Sequence, residues 1–109
     1  STQTITWEVQ YNYNEKTISR ADAVLLDLFN DSQELVPNSI TVEQVTINDS
    51  GKESGTNPVS NYTISPESED GKEGFSLSFN ENISSAYKVT YETRAKDRVY
   101  TNEKITNDV

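Results

Sequence analysis

The chain has 109 residues, of which 32% are apolar and 25% charged, with no Cys, no His and a net charge of −9 from 18 acids and 9 bases. Disulfides, thiolate or imidazole metal sites and Ser-His-Asp catalysis are therefore excluded. The acid excess argues against nucleic acid and anionic membranes as partners, since both need clustered Lys and Arg, and the length fits one domain with one modest core.

Period-two alternation dominates the chain. In TITWEVQYNY, residues Ile5, Trp7, Val9, Tyr11 and Tyr13 share one face, and Thr6, Glu8, Gln10 and Asn12 the other. This predicts a half-buried strand with a polar outer face, and it makes Trp7 and the in-phase tyrosines core residues. NEKTISR reads as a turn. ADAVLLDLF predicts a second, more buried strand, with Val24, Leu26 and Leu28 on one side and Ala23, Leu25 and Asp27 on the other. NDSQELVPNS reads as a loop, where Pro37 disfavours a central strand.

SITVEQVTIND places Ile40 and Val42 in one phase and Val45 and Ile47 in the other, which predicts a β-bulge near Glu43 and Gln44. NDSGKESGTNP reads as a turn-rich connection, VSNYTIS as a short strand and SPESEDGKEG as a charged loop. Neither acidic stretch has the spacing of a calcium-binding EF-hand loop. GFSLSF and SAYKVTYETRA alternate cleanly, and KITNDV reads as the last strand. No segment sustains a helical period, and no apolar run approaches the ~20 residues of a membrane helix. Seven to eight short strands separated by turn chemistry predict an all-β, immunoglobulin-like antiparallel β-sandwich. There is no signal peptide, and the chain starts inside a strand pattern, as a module of something longer would. With neither His nor Cys nor a glycine-rich phosphate loop, an enzyme acting on external substrate is not expected, nor is a cofactor.

One residue sits awkwardly in this pattern. If KITNDV is a strand, Asn107 shares a face with Ile105 and Val109, and an unpaired buried amide is costly.

ITWEVQYNYNEKTI, ADAVLLDLF, QELVPNSITV, GFSLSFNENISSAYKVTYET and ITNDV, in this order, resemble the collagen-binding domain family of Gram-positive cell-wall-anchored adhesins. The resemblance covers nearly all of residues 1–109 and implies a single immunoglobulin-type sandwich module of an extracellular, surface-anchored protein. The implied partners are collagen or another extracellular-matrix protein and neighbouring domains of the same chain; the alternative role is a stalk or spacer without a ligand. The resemblance also implies an intramolecular isopeptide bond. In it, a lysine on an early strand attacks an asparagine carboxamide on the last strand, ammonia leaves, and a buried acid shuttles the protons. The lysine must be neutral and the acid protonated, and burial favours both. Carried over, the acid falls on Asp27 and the acceptor on Asn107, with Asn102 in YTNEK as the alternative. Parity favours Asn107, because Asn102 inward would bury Lys104 beside it. The lysine position falls ahead of Ser1. Lys16 sits in a turn, Lys88 should face solvent, and Lys104 lies on the strand of the acceptor itself.

Overall fold

A computed structural model describes residues 3–96. The expected last strand, with Asn102, Lys104 and Asn107, lies outside them. Among the described residues eight strands run in order: β1 (Thr4–Tyr11), β2 (Val24–Leu28), β3 (Gln33–Leu35), β4 (Thr41–Ile47), β5 (Glu53–Pro58), β6 (Tyr62–Glu69), β7 (Lys72–Phe79) and β8 (Ala86–Ala95). One sheet has the order β1-β8-β4-β5, with β3 also paired to β8, and the other is β2-β7-β6. Every strand pairing is antiparallel. This is the immunoglobulin-like β-sandwich that the alternation predicts.

The inner faces follow from the pleat. Tyr87, Val89 and Tyr91 of β8, Val42 of β4, and Phe75, Leu77 and Phe79 of β7 form one buried cluster with Ala23, Phe29 and Ile83. Full burial of side chains such as Phe75 or Leu77 contributes ~1.5–3 kcal/mol each. β8 is the spine, since β1 pairs along one edge while β3 and then β4 pair along the other.

The structure corrects several expectations. β4 and β8 run in unbroken register from Thr41↔Thr90 to Val45↔Ala86, so no bulge lies at Glu43 and Gln44. The register shift is at Thr46/Ile47, against β5. The parity switch instead reports burial on both faces of the sheet. Val42 joins the inner cluster, whereas Val45 and its partner Ala86 are buried outside it, on the face where Lys88 pairs with Glu53 at 2.8 Å. Lys88 thus stands on the outer face as expected, but it is held in an ion pair with Glu53 and is largely covered.

Tyr13 leaves the phase of Tyr11, because β1 ends there and Asn12 turns the chain at φ 57°; its hydroxyl donates to Glu53 Oε1 at 3.3 Å. The stretches read as loops hide β3, β5 and half of the β6–β7 hairpin. β5 is exposed throughout, so it has no apolar phase to reveal it. β6 tolerates Pro66 because it is an edge strand. Asp70 and Gly71 close its hairpin with φ 53° and 81°, both signs that a two-residue primed turn requires.

The second strand is less buried than its composition suggests. β2 is an edge, and its outward Val24 and Leu26 are 45% and 53% exposed. What fixes β2 to the sheet is the absence of a side chain opposite it: a Cβ on Gly74 would lie 1.8 Å from the carbonyl oxygen of Asp27. Gly74→Ala is therefore expected to cost about 2–3 kcal/mol by forcing β2 off β7. Urea unfolding checks this, and a midpoint equal to wild type would show that the two strands do not approach so closely.

Candidate functional site

Asp27 pairs with Phe75 in register, so its side chain shares the inner phase of β2 with Leu25. It is half-buried. Facing it from the other sheet is Tyr91, whose hydroxyl donates to Asp27 Oδ2 at 2.5 Å. The Tyr91 ring is held edge-on to Phe75, with centroids 5.1 Å apart, and stacked on Phe29 at 5.6 Å. Such pairs add ~0.5–1.5 kcal/mol each beyond burial. The phenol is therefore fixed by aromatic packing before it meets the acid. Burial first, and then the Asp27 carboxylate, push the Tyr91 hydroxyl well above the usual phenol range.

Beside this pair a cleft of about 340 Å³ opens between β1 and β2. Its apolar wall comes from Trp7 and Val9 of β1 and from Leu28 and Phe29, and its polar groups are Asp27, Tyr91, Thr93, Gln33 and Asn30. Trp7 is not the core residue expected. It is 44% exposed, and its neighbour in phase, Ile5, is 45% exposed. Among the described residues β1 is the edge of its sheet and β2 the edge of the other, and no described strand covers the inner face of β1 at this seam. The indole N–H donates to Thr93 Oγ1 at 2.8 Å, and the Thr93 hydroxyl donates to Gln33 Oε1 at 2.9 Å.

The edges of the sandwich differ in how they are protected. β5 ends in Pro58, and β6 carries Pro66, Glu67 and Glu69, all devices that discourage a further strand. β1 and β2, the two edges at the seam, have no Pro and no Lys. The cleft thus combines an oriented carboxyl group, an apolar wall and two strands that are sheet edges among the described residues.

Of the residues the sequence points to, Asp27 stands in the cleft, while Asn107 and Asn102 lie outside the described residues. Lys16 is exposed in the turn after β1, and Lys88 is on the outer face of its sheet, away from Asp27. Tyr91, Thr93 and Gln33 were not singled out from the sequence. Thr93 had a signal, as the polar member of the phase Tyr87, Val89 and Tyr91, and it is buried to 1% exposure. Gln33 had none, since it reads as part of a loop.

The raised Tyr91 hydroxyl fixes the sign of a pH effect. Folding favours the protonated phenol, so its contribution is complete below the ordinary phenol value of ~10 and is lost as pH rises from there toward the folded-state value. Thermal melting from about pH 8 to about pH 11 should show a steeper alkaline decline for wild type than for Tyr91→Phe. Parallel declines would mean that the phenol is not buried against Asp27.

A family model described as "Collagen binding domain" matches residues 1–109. No curated protein and no solved structure matches the chain.

Proposed function

The chain belongs to the collagen-binding domain family, and from that premise we propose that it is one module of a longer, cell-wall-anchored bacterial surface adhesin that engages collagen in the extracellular matrix. The single observation that carries this reading is the family match over residues 1–109. The family is one of non-enzymatic adhesion, and no helix among the described residues is long and apolar enough to cross a membrane.

Binding to immobilised collagen tests the proposal. Saturable retention of the chain at micromolar concentration is the expected result. A flat response, with the fold intact by circular dichroism, would assign the module to the spacer role instead.

The cleft supports a finer reading, in which Asp27 serves a cross-link between a lysine upstream of Ser1 and Asn107. The tail leaves Lys96, whose N–H donates to the carbonyl of Ser32 at 2.9 Å, one residue from Gln33 in the cleft wall. An extended chain from there has roughly 35 Å of reach by Asn107, ample for a return along the seam. A tail strand laid there with Ile105 and Val109 against the apolar wall would turn the Asn107 carboxamide toward Asp27, and an inward asparagine would then have a partner. The neutral lysine amine adds to the carboxamide carbon, Asp27 carries the lysine proton to the departing nitrogen, and ammonia leaves. Contact held by a packed core supplies the proximity that makes an amine and an amide react. The bond restricts the unfolded chain as a disulfide does, by typically a few kcal/mol.

Intact mass decides this finer reading. The 109-residue chain should have the mass of its sequence. A chain extended upstream through the lysine should be lighter by one ammonia, and Asp27→Ala or Asn107→Ala should restore the missing mass. A deficit in the 109-residue chain itself would place the lysine within residues 1–109.

A further inference from the structure

A second cleft, of about 550 Å³, lies where β2 begins, between the connection that leads into β2 and the turn that follows β7. Backbone bonds pin its two walls together. Ile18 and Ile83 exchange N–H···O bonds of 2.8 and 2.9 Å, and the Phe79 N–H donates to the Ala23 carbonyl at 2.9 Å. The side chains of Ala23, Phe79 and Ile83 are buried in the core, so these walls stand on rigid ground. The polar groups of the cleft are turned one way. Asn82 Oδ1 accepts from the Arg20 backbone N–H at 2.8 Å, and Asn80 Oδ1 accepts from the Thr63 hydroxyl at 3.0 Å. Both amides therefore face the protein with their oxygens, and the group each has left for a guest is its NH2. Of the two arginines among the described residues, Arg94 is paired with Glu34 at 2.8 Å, whereas Arg20 makes no ion pair with a described carboxylate. The acids closest in sequence are engaged elsewhere: Asp22 accepts from Ser19, and Glu81 accepts from Asn61 at 2.7 Å. In a chain of 18 acids, no acid lines this cleft.

We propose that this cleft binds a carboxylate, held by the Arg20 guanidinium and by N–H groups of Asn80 and Asn82. An ammonium group would meet a guanidinium and two donors, and is excluded. A phosphate carries up to two charges against one arginine, in a chain whose net charge is −9. A carboxylate carries one, and its two oxygens match the planar fork of Arg, with lone pairs to spare for the amide donors. The cleft also has an apolar side for what the carboxylate is attached to. Val24 lines it and is 45% exposed, and Ala21 stands beside it, so an aliphatic stem loses water there along with the wall. A small organic acid and a glutamate side chain of an extended partner segment share this chemistry. The site is on the far side of β2 in phase from Asp27, since Val24 pairs with Ser78 and Asp27 with Phe75. It depends neither on the collagen reading nor on the cross-link.

The test is an NMR titration of the 109-residue chain at low salt, following the side-chain NH2 signals of Asn80 and Asn82 and the Arg20 Nε–H. The probes are glutarate, the peptide acetyl-Val-Glu-Val-amide, its Gln counterpart and inorganic phosphate. Saturable shifts of these three groups with glutarate are expected, and none with the Gln peptide. Shifts with the Glu peptide as well would assign the site to an acidic side chain, and shifts with glutarate alone to a free acid. Arg20→Gln should weaken binding by roughly 10-fold or more, the usual loss for a charged hydrogen-bond partner. Arg20→Lys, which keeps the charge but not the fork, should weaken it less. Asn82→Asp still accepts from the Arg20 backbone N–H but turns a carboxylate oxygen to the guest, so it should bind as weakly as Arg20→Gln, with the Arg20 backbone amide signal in place to show an intact loop. An absence of shifts with both carboxylates, or wild-type affinity in Arg20→Gln and Asn82→Asp, overturns the site. Tighter binding of phosphate than of glutarate overturns its assignment to carboxylates.

Discussion

The contact between Tyr91 and Asp27 joins the two sheets at the point where the sandwich stops being closed. A carboxyl group on the inner face of β2 would be an unpaired polar group against Phe75 and Phe29 if nothing met it. Tyr91 meets it with a hydroxyl on an aromatic ring, so one side chain fills core volume and satisfies the acid. The geometry depends on β8 being the spine of its sheet, because only a strand paired on both edges holds a side chain at a fixed height over the opposite sheet. It depends also on Gly74, which lets β2 lie close enough to β7 to bring Asp27 under the phenol. Removing either support moves the acid rather than merely loosening the core.

Much of the architecture was legible in the alternation of β1, β4, β7 and β8, because each of these strands has one face in the common core. The strands that escaped are those for which burial does not vary along the strand. β5 is exposed on both faces, and the far half of β6 carries charge on an edge. Trp7 and Leu26 failed in the opposite sense. Their apolar phase is real, but periodicity reports which residues share a face and not whether a second layer covers that face. Asp27 could be placed by its parity with Leu25, whereas Tyr91 looked like any in-phase aromatic. Gln33 was invisible because its place in the cleft wall is set by Thr93, 60 residues away, through pairing across β8.

The unprotected edges give the exposed apolar residues a common explanation. Isolated strands with open edges invite association, and proteins normally blunt them. Here β5 and β6 carry Pro and charge, and β2 is only five residues long with an inward acid, whereas β1 is eight residues of clean alternation with a single charge, Glu8. A strand laid along the seam, as the proposed cross-link has it, would cover Trp7 and Ile5 and desolvate Asp27 in the same step. Under the proposed cross-link this coupling orders the chemistry: the acid and its carboxamide partner are brought out of water only when the tail is in register.

The proposed ordering makes demands unlike those of an enzyme pocket. Turnover requires a product that departs and a cleft that reopens, so binding groups must be strong enough to select and weak enough to release. A cleft filled by the protein's own chain, as proposed, has no such constraint. Its walls can be as apolar as the core, and its polar groups can be spent entirely on orientation, as Thr93 is on Gln33 and Tyr91 is on Asp27. Two side chains whose hydrogen bonds serve to aim two others are wasteful in a surface groove that samples many ligands. They suit a site that meets one group once and in one orientation, as the proposed cross-link requires.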